Sequence, residues 1–534
     1  MKSLSIAGAS LLSLLPASAE YIWPSQYDEI EDVWSLQSGY VHHGFRDNVT
    51  PCTFGDSKSQ LTAAEWLRTA YHDFATHDTS TGLGGVDASI MYELERDENT
   101  GAGFNGSLGF FLNYYSNKAS MADLVALGAI VSVEACGGPR IPFRAGRIDA
   151  TEAGRMGVPK PDEDIDTHKK EFAAAGFNVS DMIAVVACGH TFGGVHGNDF
   201  PQITGVDSED NFPKFENGDE SAHVFDNNVV TEYLDDSTSN PLVKSSNKTF
   251  ISDHRVFSSD GNVTMKALAD PKAFQSTCKD VLARMIDTVP SAVKLSDVLT
   301  PPEMKPYELS LTLTEKNTLH FEGKIRVRTT EIGSMNAQAV TLTYTDRNGK
   351  TASNKTIETM HGRYQGGTSS GFGEVFDWFE IDTELPIDTS ISKFDITLTK
   401  PDGKTVYNNA GHGFPIQDSI LYDQTKSCMS LPDANNKRTV KVVAYVRSER
   451  ANDPVSFNFY QKIERQGVIV PKLDTLNQKM TKVEGSEKNG YVQFTGEAEV
   501  SLGQFGTTLD VLVGEGDNVD IVDFKRTNYL TQCA

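Results

Sequence analysis

Arg68 and His72, in "LTAAEWLRTAYHDF", are the first residues of this chain whose types and spacing invite chemistry. Positions i and i+4 share a helix face. A fixed cation and an imidazole, the side chain whose proton is mobile near neutral pH, would therefore reach one bound molecule together. A second histidine, His190, closes the run "NVSDMIAVVACGH". It shares a helical face with Ile183, Val186 and Ala187, so it emerges from apolar surface. Taken singly, each reads as ordinary: a surface pair in the first stretch, a satisfied core histidine in the second.

Both stretches need helices to aim them. Thr62 and Glu65 have the spacing of a capping box, and Leu61 with Trp66 that of a hydrophobic staple. They predict a helix starting near Ala63, with Leu67, Ala70, Tyr71 and Phe74 as its buried stripe. Ser180 with Asp181 predicts the start of the second helix. Helical patterns and glycine-containing loops continue to about residue 290. Beyond "LTPPEMKP" (299–306), period-two runs such as "YELSLTLT", "AVTLTYT", "TVKVVAYVRS" and "VSFNFYQKI" replace them. Asn348-Gly349 predicts a hairpin turn. A break near 411–419 divides the β region in two, and Cys428 and Cys533 bracket its second part.

A length of 534 residues argues for about three domains. Lys2, a Leu- and Ala-rich run and "ASA" ending at Ala19 have the form of a secretory signal. No stretch is long enough to span a membrane. The expected organisation is multidomain. A signal peptide covers 1–19, a mainly α domain 20–298, and two β-sandwich-like modules 299–412 and 413–534. Sequons at Asn48, Asn105, Asn178, Asn247, Asn262 and Asn354 fit a secreted, extracellular glycoprotein. The six cysteines allow fifteen pairings. A net charge of −25 disfavours nucleic acid and anionic membranes as partners. No H-E-x-x-H or Cys-pair zinc pattern occurs.

Arg-x-x-x-His-Asp at 68–73 and Gly-His-Thr at 189–191 together resemble the haem peroxidases of the plant, fungal and bacterial superfamily. With the leader, the likeness is to a secreted fungal-type (class II-like) peroxidase. It runs from about Leu61 to Val289, and the C-terminal β region lies outside it. The resemblance implies haem b between the two helices. His190 would be the axial ligand to iron, and Asp253, in "FISDHRVFSS", its buried partner. His72 would be the distal acid–base residue, Arg68 the cation that stabilises the leaving oxygen, and Asn99 the residue that fixes the tautomer of His72. Two calcium ions are implied as well. The first would take Asp73, Gly85, Asp87 and Ser89; the second would take Thr191, Asp219, Ser221, Val224 and Asp226. Cys136 matches a family cysteine, which implies a bond to Cys52 and leaves Cys188 with Cys278.

The chain departs from that pattern at several points. Tyr71 stands where secreted relatives carry Phe. Gly218 falls where an aromatic residue under the haem is usual. The loop from Asp73 to Gly85 is long, and its His77 and Asp78 read as solvated. Leu61, Glu65 and His196 occupy the manganese-binding positions; with one acid among them, manganese oxidation is not expected. The surface tryptophan of lignin-attacking relatives falls at Val185. The resulting expectation is peroxide-dependent one-electron oxidation of small phenolic or aromatic amine donors through ferryl intermediates. The C-terminal region would bind a cell-wall or other polymer ligand. The alternative is an extracellular carbohydrate-binding or structural protein with a vestigial haem domain.

Overall fold

The computed structural model describes residues 21–55, 60–218 and 223–533, and the expected leader lies outside the described residues. The first half is helical. The Met121–Ala135 helix is apolar on nearly every face and is buried in the middle of the domain, as all-round hydrophobicity requires. The Thr62–Phe74 helix packs on one side of it. The Val179–Gly189 helix packs against the Pro271–Asp287 helix, and the Cys188–Cys278 disulfide joins the two. Cys52–Cys136 ties the N-terminal segment to the end of the Met121–Ala135 helix.

Two helix starts differ from expectation. The N-cap of the first helix is Leu61, in extended backbone without a side-chain cap, and Thr62 is already helical. The Thr62/Glu65 capping box is therefore not formed, and Glu65 turns instead to a cavity. The second helix is capped by Asn178, not Ser180. Asn178 Oδ1 accepts from the Asp181 amide at 3.0 Å, and the Asp181 carboxylate accepts from the Asn178 amide at 3.0 Å.

The second half is four sheets. Strands Met304–Leu313, Thr318–Arg328 and Glu374–Pro386 form one sheet with three short strands. Strands Ala339–Thr345, Thr351–Glu358, Lys393–Lys400 and Gly403–Tyr407 form a second, with Phe414–Pro415 at its side. Phe321, Ile325 and Phe379 of the first share a core with Leu342, Phe394 and Ile396 of the other. The turn at Asn348-Gly349 joins Ala339–Thr345 to Thr351–Glu358 in antiparallel register. The last two sheets repeat the plan. Lys437–Arg447 and Tyr491–Ser501 face Val455–Arg465 and Thr508–Val513 across Val440, Val442, Phe457, Phe459 and Val511. Cys428–Cys533 closes this unit.

The halves are interlocked. Strand Ser38–Gly39, near the N-terminus, pairs with Thr368–Gly371. Lys305 and Arg326, both buried in the first sheet, hold Glu31 and Asp32 of the Asp28–Ser35 helix at 2.7–2.9 Å. Val470, from the last module, belongs to the helical core.

Candidate functional site

A cavity of about 810 Å³, within the range of cofactor sites, opens between the Thr62–Phe74 and Val179–Gly189 helices. Arg68 and His72 line one side of it, with His190 and Asp253 across from them. One turn of helix puts Arg68 and His72 on the same wall, as their spacing requires.

His72 is buried, and its Nδ1 lies 2.7 Å from Asn99 Oδ1. Asn99 is itself fixed, because its amide nitrogen donates to the Glu93 carbonyl at 3.0 Å. The Asn99 oxygen must therefore face His72, so Nδ1 carries the proton and Nε2 is left as a base. Burial holds the imidazole well below its usual range, and the Arg68 guanidinium adds to this, so it is neutral at neutral pH. Arg68 donates to the Thr100 carbonyl at 3.0 Å and lies 4.4 Å over the Phe104 ring. Burial lowers its pKa to about 10 against the opposing pull of Asp199 and Glu65, so it stays charged.

His190 ends its helix as the C-cap residue. Its Nδ1 is 2.8 Å from Asp253 Oδ2, which also accepts from Asn240 Nδ2 at 2.9 Å. Asp253 is buried. A carboxylate on Nδ1 fixes the tautomer and leaves Nε2 unprotonated, the arrangement a metal-binding imidazole needs. The Phe215 ring lies parallel to the imidazole at 4.2 Å. An aromatic ring is thus placed beside His190 by residue 215, three positions before Gly218, where the resemblance implies one. Imidazole, buried carboxylate, stacked ring and cavity together fit a haem held through His190, with His72 and Arg68 on its far side.

The two proposed cation places differ. Asp73 accepts from the Ala88 and Ile90 amides at 2.7 and 3.0 Å and from Ser89 Oγ at 3.4 Å. Burial, then the neighbouring Asp87, pushes its carboxyl well above the usual range. Gly85, Asp87 and Ser89 are buried in the same turn region. Two buried carboxylates side by side are what a hard cation would relieve. On the other face, Thr191 Oγ1 donates to the Asp226 carbonyl at 2.5 Å and lies 3.2 Å from Glu216 Oε1. Glu216 was not anticipated. Its Oε2 is buried without a hydrogen-bond partner among the described residues, and burial followed by Asp226 raises its carboxyl to about 9. Val224 is exposed, and Asp219 and Ser221 lie outside the described residues. Among the described residues, no three His, Cys, Asp or Glu side chains are grouped to hold a metal ion by themselves.

One further expectation needs correction. His77 is buried rather than solvated, because its Nδ1 engages the Gly84 carbonyl at 3.0 Å. Val185, where no surface tryptophan is expected, is buried on the cavity wall. Tyr71 lines the cavity and packs on Phe172 at 6.1 Å. Glu65 Oε1 approaches His196 Nε2 to 4.0 Å, and burial raises the Glu65 carboxyl to about 7. Asn240, Phe215 and Glu216 come from irregular segments with no sequence period, and nothing in their spacing announces them.

Residues 53–271 match the family model described as peroxidase. The chain is 44% identical over 394 residues to a WSC domain-containing protein of Arthroderma benhamiae, covering 72% of this chain and 54% of that one. It is 34% identical over 140 residues to the peroxisomal L-ascorbate peroxidase 5 of Arabidopsis thaliana, covering 26% and 50%. It is 35% identical over 133 residues to the cytosolic L-ascorbate peroxidase 2 of the same plant, covering 24% and 53%. The chain thus spans about half the length of the curated relatives it matches.

Proposed function

We infer that this chain, which carries a helical peroxidase domain at 53–271 followed by a β-rich region, is a secreted haem peroxidase that oxidises small neutral or cationic aromatic donors. The observation that carries the reading is that His72 and His190 line one cavity, each with its Nδ1 fixed by a separate partner, Asn99 and Asp253. Haem, bound through His190 Nε2, would supply the redox chemistry by which one hydrogen peroxide and two donors give two water molecules and two donor radicals.

The protein's own residues handle protons and charge. His72 Nε2 takes a proton from peroxide and returns it to the departing oxygen. Arg68 is close enough in sequence and direction to stabilise negative charge on that oxygen. Asp253 and Asn240 hold His190 in orientation. Calcium at Asp73, Gly85, Asp87 and Ser89, and at Thr191 and Asp226, would brace the segments that follow His72 and His190; at the second place we add Glu216.

Charge on the cavity wall supports the donor class. Glu65, Asp97, Glu98, Asp162, Asp199 and Glu209 line it against Arg68 and Lys160. An anionic donor is disfavoured on approach, and a phenol or an aromatic amine is not. A vestigial domain would not need these pairs kept together. The test is peroxide-dependent oxidation of guaiacol and of an aromatic diamine by the full-length protein. Turnover that falls at least about a hundredfold in His72→Ala supports the reading; no turnover in the parent protein with haem bound overturns it.

A further inference from the structure

A second cleft, of about 720 Å³, opens where several segments of the chain meet, and it shares no lining residue with the cavity of His72 and His190. Its walls come from the segment around residue 41, from residues 113–114, from strands Met304–Leu313 and Thr318–Arg328, from residues 364–365, and from the end of Asp520–Arg526 and the turn after it. Five tyrosines face it: Tyr40, Tyr114, Tyr307, Tyr364 and Tyr529. Tyr364 is 78% exposed and Tyr529 53%, far more than a packing role would leave them. The backbone that presents them is unusual. Gln365, beside Tyr364, has φ +49°, and Glu308, in the bulge after Tyr307, has φ +49° as well. Left-handed backbone at non-glycine residues is costly and concentrates where a ligand is held.

The charges of the cleft cancel. Arg526 pairs with Glu29 at 2.6 Å and Lys324 with Glu308 at 3.2 Å. What remains beside the rings is polar: the amides of Asn113, Gln365 and Asn528, and the imidazoles of His42 and His43. His43 Nε2 is buried and has no hydrogen-bond partner among the described residues. Buried polar atoms are seldom left so, and burial keeps this imidazole neutral. Flat rings with one wet edge, amide donors and acceptors, and Arg and Lys side chains already paired with carboxylates match one ligand chemistry. A pyranose has apolar C–H faces that lie on rings and a rim of hydroxyls that bonds amides.

We propose that this cleft binds an uncharged polysaccharide segment, with sugar rings on Tyr364 and Tyr529 and hydroxyls bonded to the surrounding amides. The proposal gives a place to the polymer ligand expected of the β region and rests on that part of the reading alone. A nucleic acid or acidic polysaccharide would require free cations that the ion pairs have consumed.

The test is calorimetric titration of the full-length protein with cellohexaose, laminarihexaose and chitohexaose, and with hexagalacturonate as the charged counterpart. Binding of at least one uncharged hexamer with a Kd below about 1 mM is expected. Tyr364→Ala with Tyr529→Ala should weaken it at least about tenfold, with Tm and guaiacol turnover unchanged; each single variant is read as well. No binding of any uncharged hexamer, binding of hexagalacturonate alone, or affinity unaltered in the variants overturns the proposal. Haem binding and turnover are read separately, so failure here leaves the peroxidase reading standing, and the reverse holds.

Discussion

Asn99 shows how far one residue can be read from sequence. Its type and place implied a partner for His72, but the reason it works is a second bond, to the Glu93 carbonyl, that turns its oxygen the right way. Asn99→Leu should therefore slow the reaction with peroxide by about 10- to 100-fold while haem stays bound, as measured by stopped-flow absorption. Helical spacing puts Arg68 and His72 on one face, but the roles expected of them and of His190 come from the resemblance, since the spacing alone reads as ordinary. Phe215, Asn240 and Glu216 were not legible, since only the folding of irregular loops brings them to the site. Glu65 was misread because a helix N-terminus and a cavity wall ask for the same residue type. Its carboxyl, raised to about 7 by burial, gives a pH prediction. The unfolded carboxylate ionises at its ordinary value, so between that and pH 7 the folded state holds more proton. Stability is then lost as pH rises through this window, by on the order of 2–3 kcal/mol for this group. Thermal melts should show Glu65→Gln gaining on the parent above pH 7 and equal to it near pH 4. In the parent, KM for a cationic diamine should fall as pH rises through about 7, and this step should vanish in the variant.

At the scale of elements, hydrophobic period located both site helices and most of the long strands, yet the caps came out wrong. A cap depends on the dihedral angles of one residue, and several Ser, Thr and Asn residues competed for the role. The Asn178 cap makes the point measurable. In protein produced without glycans, Asn178→Ala should cost about 1 kcal/mol and Ser180→Ala no more than a few tenths, read as Tm or denaturant midpoint. Strand Glu374–Pro386 escaped notice for a different reason. Its middle is buried on both faces, so "VFDWF" has no alternation to detect.

For the whole molecule, the division into a helical half and a β half was visible in the change of period near residue 300; their interlocking was not. Buried ion pairs between residues some 270–300 apart leave no local pattern. Arg326→Met leaves Lys305 to face both buried carboxylates, Glu31 and Asp32, and should destabilise the protein by about 3 kcal/mol, visible in a urea melt that follows both halves. The net charge of −25 and the acidic cavity wall act together at long range. Raising ionic strength from about 10 mM to 150 mM shortens the screening length from ~30 to ~8 Å. Turnover of an anionic donor such as ascorbate should rise, and that of a cationic diamine should fall.

The most direct measurement is a haemin titration of the full-length protein followed by absorption, with His190→Ala and His72→Ala beside the parent. The account predicts a Soret band saturating at one haem in the parent and in His72→Ala, and loss of the histidine-ligated spectrum in His190→Ala, restored in part by added imidazole. A parent protein that binds no haemin, or a His190→Ala spectrum and affinity identical to the parent's, would contradict it.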